Sequence, residues 1–222
     1  MAATPNKQFK NICVLSRFNY DKYKEFVKAA IDLGRSIAAR KLHLVYGGGD
    51  RELSTLVSEA AYIRGSQVLG IIPRTLKPLG CLFDSPTGEE LVVSGMEERI
   101  TETLNHTDAF ICLPTNLATL EALITLASWT YLNIHQKPIG LLNVNNFYVV
   151  FIAFLNHVIK NYFIPSTAKT IFICARIVNE LLDLLQAHRL EPDPKKFVLE
   201  WPTNDGNSSR SKKCKLDLTL CL

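Results

Sequence analysis

Short, uninterrupted apolar runs alternate along the chain with longer stretches whose apolar residues recur every three or four positions. The runs are Asn11–Ser16, Leu42–Tyr46, Gln67–Ile72, Leu91–Ser94, Ala109–Leu113, Pro138–Leu142 and Thr170–Ala175. Strands half exposed to water alternate apolar and polar residues, so unbroken apolarity predicts strands covered on both faces. The intervening spacing predicts helices over Tyr20–Arg40, Leu53–Arg64, Met96–Asn105, Thr119–Asn133, Phe147–Asn161 and Val178–Ala187. In the first of these, Phe26, Ala29, Ala30, Leu33 and Ile37 share one face, and Gly65 follows the second as a C-cap. Strand–helix alternation with short connections predicts a doubly wound α/β domain over residues 10–187. Its sheet is mainly parallel, with helices on both faces. The pattern stops near His188, and the Pro-, Asn-, Ser- and Lys-rich stretch 188–222 reads as an irregular to disordered tail.

Composition narrows the class. Of 222 residues, 47% are hydrophobic and 21% charged, an ordinary globular balance that excludes a wholly disordered chain. Arg210, Lys212, Lys213 and Lys215, set against Asp217, account for most of the net charge of +4. A general nucleic-acid surface is therefore not implied. The amino terminus lacks an apolar signal core, and the most apolar run, Phe147–Leu155, is about half the length of a membrane span. Cys13, Cys112 and Cys174 lie inside apolar runs, and the six cysteines form no CxxC pair. Buried free thiols in a reducing, cytoplasmic setting are expected. The five histidines are scattered, with no metal-ligand spacing and no nucleophile–histidine set. Phe147, Val149, Val150, Phe151 and Phe154 occupy more than one side of a helix, so a homodimer is expected to cover what the sheet does not.

In a doubly wound sheet, ligands bind beyond the carboxyl ends of the strands. Three segments sit there. Gly47, Gly48 and Gly49 leave a strand just before a helix, where a bare backbone and free N–H groups suit an anion; a simple tight turn is the alternative. Thr115, Asn116 and Thr119 follow Pro114 at a second helix start, where they fit phosphate binding or plain helix capping. Arg99, beside Glu97 and Glu98, is suited to bidentate phosphate or carboxylate recognition, or to local ion pairing.

Together these segments resemble the plant LONELY GUY (LOG) family of cytokinin riboside 5′-monophosphate phosphoribohydrolases, once labelled lysine decarboxylase-like. LVYGGGDRELSTLVSEA falls where that family has GGGxxGLMG, and DAFICLPTNLATLEAL where it has PGGxGTxxE. LGIIPRTLKP, VVSGMEERI, ASWTYLNIHQKPIGLLNVNNFY and FIPSTAKTIFI follow in family order, so the likeness spans about residues 10–187. The resemblance implies a Rossmann-like homodimer that cleaves a purine nucleotide's N-glycosidic bond with water. It implies no metal or redox cofactor, while the charge and hydropathy above argue against a direct nucleic-acid partner and a membrane span. Carried over by position, Arg99 and Glu121 are the candidate catalytic residues. Gly47, Gly48, Gly49, Arg99, Ile100, Thr115, Asn116, Leu117, Ala118, Thr119, Leu120, Glu121 and Ser128 are the candidate substrate contacts.

The sequence also departs from the family pattern. Thr115, Asn116 and Ala118 replace motif glycines, and Ala122 replaces the closing glutamate. Glu52 and Thr55 stand in place of glycines in the first loop, Ser54 in place of methionine, and Ile100 in place of the lysine after Arg99. Gly80 replaces a carboxylate upstream. Added Cβ atoms hold backbone donors away from a phosphate, and an oxocarbenium-like state loses its stabilising carboxylate. Glu121 is one residue off, about 100° around a helix. Two readings stay open: an active but divergent phosphoribohydrolase, or a catalytically impaired homologue that binds nucleotide or serves as a dimer partner. In the tail, Leu216, Leu218 and Leu220 of LDLTL resemble a plant corepressor-binding motif. The basic SRSKKCK run before it resembles a nuclear import signal.

Overall fold

The seven apolar runs become the seven strands of one sheet in the computed structural model, which describes residues 9–16, 23–48, 52–77 and 87–188. They are β1 (Asn11–Leu15), β2 (His43–Tyr46), β3 (Val68–Pro73), β4 (Glu89–Val93), β5 (Ala109–Cys112), β6 (Ile139–Leu142) and β7 (Phe172–Ala175). The α-helices of the described residues are α1 (Lys24–Ala39), α2 (Leu53–Tyr62), α3 (Met96–Asn105), α4 (Leu117–Tyr131), α5 (Val149–Lys160) and α6 (Val178–Ala187). Every strand pairing is parallel, in the order β4-β3-β2-β1-β5-β6-β7. The chain thus winds outward from β1 to β4, returns to the other side of β1, and winds outward again from β5 to β7. The topological switch lies between β1 and β5. The LDLTL motif, the basic run before it, Gly49 and Gly80 lie outside the described residues.

Burial on both faces is visible residue by residue. Ile12 and Val14 of β1 join the core layer built with α1, α2 and α6, whereas Cys13 between them faces the layer of α3, α4 and Tyr148. In β5, Ala109 and Ile111 face the first layer and Phe110 and Cys112 the second. The strands read as unbroken apolar runs for this reason. Where a strand lies at the edge, the signal weakens. β4 begins at Glu89, two residues before the apolar run, because edge positions tolerate carboxylates. β7, at the other edge, leaves Cys174 exposed, which corrects the expectation that all three strand cysteines are buried.

Two contacts fix the positions of whole elements. Gly34 lets α1 approach α2 so closely that an added Cβ would sit 2.5 Å from the Val57 carbonyl oxygen and 2.8 Å from Ala60 Cβ. Backbone cannot yield as a flexible side chain does, so Gly34→Val is expected to cost roughly 2–3 kcal/mol of stability. A urea unfolding midpoint equal to that of the unsubstituted protein would contradict this packing. Tyr148, fully buried ahead of α5, donates its hydroxyl to the Leu113 carbonyl at 2.5 Å, and its own N–H donates to Asn143 Oδ1 at 2.8 Å. Of the histidines, His135 is held inside the fold. Its Nδ1 accepts from the Lys137 N–H at 3.2 Å and its Nε2 lies 3.1 Å from the Leu126 carbonyl. Burial pushes this imidazole down to about 4, so the ring is neutral at physiological pH. Among the described residues no helix is long and apolar enough to cross a membrane.

Candidate functional site

A cleft opens beyond the carboxyl ends of β1 and β2, between the start of α3 and the start of α4, beside the switch between β1 and β5. It encloses about 600 Å³, part of it open to solvent. Leu15 and Ser16 from β1, Tyr46 and Gly47 from β2, Met96, Arg99, Ile100 and Thr103 from α3, and Ala118, Thr119, Ala122 and Leu126 from α4 line it, over a floor that includes Cys13. The wall is mostly apolar. Arg99 is the one cation among these lining residues, and no carboxylate lines the cleft among the described residues.

Arg99 is placed by the first turn of α3. Gly95 caps that helix in an extended conformation, and the Glu98 carboxylate turns back to accept the Ser94 N–H at 2.6 Å and the Ser94 hydroxyl. Those hydrogen bonds hold the Glu98 carboxyl below its usual range. The Arg99 side chain meanwhile reaches across the strand ends. Its Nε donates to the Ile71 carbonyl at 3.1 Å and its Nη2 to the Gly47 carbonyl at 3.4 Å. Gly47 has to be glycine for this, because a Cβ there would overlap Nη2. The Cys13 thiol below is raised by burial to about 12, an effect that nearby Arg99 opposes, so it is a protonated apolar wall and not a nucleophile.

The helix starts around the cleft are finished by the protein's own side chains. At α4, Asn116 Oδ1 accepts the Thr119 N–H at 3.4 Å, and Thr115 is buried. At α2, Glu52 and Thr55 form a capping box, with Ser54 Oγ 3.2 Å from Glu52 Oε2. Ser54 Oγ is also 3.2 Å from the Ser16 carbonyl, and Ser16 Oγ donates to the Pro114 carbonyl at 3.2 Å. This chain of contacts ties the ends of β1 and β5 to the start of α2.

Of the sequence-derived candidates, Gly47, Arg99, Ile100, Ala118 and Thr119 converge on the cleft. Gly48 follows Gly47 with φ of +76°, and Leu120 is packed against the core. Leu117, Glu121 and Ser128 lie on the other side of α4 and are exposed, Glu121 accepting a 3.4 Å hydrogen bond from Thr125 Oγ1. Helical phase accounts for the split. Positions 118, 119, 122 and 126 fall on the cleft face, while 117, 121, 124 and 128 fall on the outer face. The same spacing would have found the missed residues Met96 and Thr103, one turn either side of Arg99. Leu15, Ser16 and Tyr46 are detectable only from strand order.

Comparison with known proteins bears on this arrangement. The profile of the family described as "Possible lysine decarboxylase" matches residues 55–185. The chain is 36% identical over 209 residues to a rice protein named probable cytokinin riboside 5′-monophosphate phosphoribohydrolase LOGL6. That match covers 94% of this chain and 82% of the relative. It is 39% identical over 181 residues to the Arabidopsis thaliana cytokinin riboside 5′-monophosphate phosphoribohydrolase LOG3, covering 82% and 84%. The chain belongs to the LOG family. Solved structures share the fold: the molybdenum cofactor binding protein of Rippkaea orientalis superposes with a TM-score of 0.61 at 17% identity, over 82% of this chain and 98% of that one. The molybdenum cofactor carrier protein of Chlamydomonas reinhardtii gives 0.59 at 17% identity, over 81% and 99%.

Set on this fold, the departures from the LOG motifs acquire positions. Ala122, where LOG sequences close the motif with glutamate, faces the cleft. Asn116, in place of a motif glycine, caps α4 and takes the Thr119 N–H for itself. Glu52 and Thr55, in place of first-loop glycines, build the cap of α2.

Proposed function

We propose that the cleft binds a purine ribonucleotide of the cytokinin riboside 5′-monophosphate type and that the protein hydrolyses its N-glycosidic bond slowly. The observation that carries this reading is Arg99, brought by α3 across β3 and the end of β2 into the cleft, in a chain of LOG lineage. In the reaction the bond from ribose C1′ to the base nitrogen breaks, and its electron pair goes to the base, which takes up a proton. Water oxygen bonds to C1′ and releases its other proton, giving free base and ribose 5-phosphate. Arg99 orients the anionic end of the substrate. Thr119 lies at the polar end of the cleft, and the apolar wall of Leu15, Met96 and Leu126 receives the base. The charge developing on the ribose lacks a carboxylate partner, because Ala122 stands at the cleft face and Glu121 points to solvent. General acid–base assistance is worth roughly 10²–10⁴-fold, and slow turnover follows from its loss.

The test is incubation of the purified full-length protein with isopentenyladenosine 5′-monophosphate and with AMP, followed by chromatography for free base. Time-dependent release from the isopentenyl substrate, slower than in a motif-intact relative, is the expected outcome. No release above background would overturn the hydrolytic reading.

We further propose that the working unit is a homodimer. No residue of α5 is fully buried in the single chain, and Val150 and Phe154 are 78% and 60% exposed. Apolar side chains at that exposure on one helix call for cover. Light scattering at micromolar protein should give twice the 24.9 kDa chain mass. A mass of one chain would count against it.

A further inference from the structure

We infer that Thr103 sets which base substituent the cleft prefers: an apolar chain tipped by a hydroxyl over the same chain without one. The inference rests on the reading of the cleft as a purine nucleotide site and concerns the end of the ligand away from the phosphate.

The cleft has a mouth and an inner end. Helices α3 and α4 each connect the carboxyl end of one parallel strand to the amino end of the next. Position along either helix therefore measures depth, at about 1.5 Å per residue. Met96 and Ala118, in the first turns, are exposed, and Arg99 and Ala122, one turn on, are half-buried. Ile100, Thr103 and Leu126 are buried, and Cys13 in the middle of β1 closes the same end. Thr103 lies one turn below Arg99, about 6 Å along the helix axis. With the anionic end of a nucleotide at the level of Arg99, the group that reaches Thr103 is the substituent on the base.

This inner end is apolar except for one hydroxyl. Thr101 on the same helix donates to the Glu97 carbonyl at 3.1 Å, and buried Thr130 of α4 donates to the Leu126 carbonyl at 3.0 Å, each four residues back. Thr103, only 8% exposed, makes no such bond, and its Oγ1 has no hydrogen-bond partner among the described residues. A ligand that fills the inner end with hydrocarbon alone keeps water from this hydroxyl and leaves it unpaired, which is unfavourable. A ligand hydroxyl at that point pairs with it, as donor or as acceptor. Cys13, Ile100 and Leu126 without Thr103 would favour the plain chain.

The experiment is a calorimetric titration of the full-length protein with isopentenyladenosine 5′-monophosphate and with its terminally hydroxylated counterpart, trans-zeatin riboside 5′-monophosphate. The proteins are the unsubstituted chain, Thr103→Val and Thr103→Ser. Valine keeps the shape of threonine without the hydroxyl, and serine keeps the hydroxyl. The unsubstituted protein should bind the hydroxylated nucleotide about tenfold more tightly, the order expected of one well-made hydrogen bond. Thr103→Val should weaken the hydroxylated nucleotide about tenfold and leave the plain one within twofold, so that the preference disappears. Thr103→Ser should retain it. Equal affinities in the unsubstituted protein overturn the inference, and so does a preference that survives Thr103→Val. An equal shift of both ligands in Thr103→Val also overturns it, because a merely structural role would act on both alike. If neither nucleotide binds, the inference and the reading of the cleft fall together. If the preference behaves as stated but no base is released, the inference stands and the hydrolytic reading falls.

Discussion

Ala122→Glu is expected to raise the rate of base release by about a hundredfold or more. Position 122 shares the cleft face of α4 with Ala118, Thr119 and Leu126, and it is partly open, so a longer side chain has room to extend. A carboxylate there would face the ribose that Arg99 helps to hold. That places a negative charge where positive charge develops on C1′, or a base within reach of the attacking water. Ala122→Gln is the control, because it has the same reach without the charge and should leave the rate near that of the unsubstituted protein. Adding Thr115→Gly, Asn116→Gly and Ala118→Gly should raise it further by exposing backbone donors. These come at a cost in stability: Asn116 caps α4, and Thr115 fills a buried position. The single substitution is therefore the cleaner measurement. Chromatography of free base from isopentenyladenosine 5′-monophosphate decides it, and equal rates for the Glu and Gln variants would remove the argument that a missing carboxylate limits the enzyme.

The second large effect is a loss. Arg99→Ala is expected to reduce base release by about a hundredfold or more, the usual consequence of removing a charged group aimed at the reacting ligand. Arg99→Lys should recover little of it. An ammonium cannot reproduce the planar fork that reaches the Ile71 and Gly47 carbonyls together. Because the same hydrogen bonds join the ends of β2 and β3, the alanine variant should also lose about 1–2 kcal/mol of stability. Gly47→Ala separates the two causes. It leaves the arginine in the sequence but puts a Cβ where Nη2 lies, so activity should fall although the charge remains. An unchanged rate in Arg99→Ala would show that the reaction, if present, occurs elsewhere.

The fold was legible because a parallel sheet buried on both faces leaves a plain trace, as the runs around Ile12–Val14 and Ala109–Leu113 show. The trace faded where only one side needed cover, at Glu89 in β4 and Cys174 in β7. For the site, a linear motif named the right stretch of α4 but not its rotation. Thr119 and Ala118 reach the cleft, while Glu121 of the same motif, and Ser128 further along the helix, face solvent. The reach of Arg99 to the Ile71 and Gly47 carbonyls was beyond any local pattern, since it depends on three chain segments folding to one point.

The hydroxyl that Tyr148 lends to Leu113 joins two parts of the molecule with different duties. Leu113 immediately precedes Pro114 and the loop that begins α4, and Tyr148 is the residue from which α5 departs. One ring thus sets two helices from a single anchor: the residue that opens α5 and the strand end that leads into α4 are held at a fixed spacing.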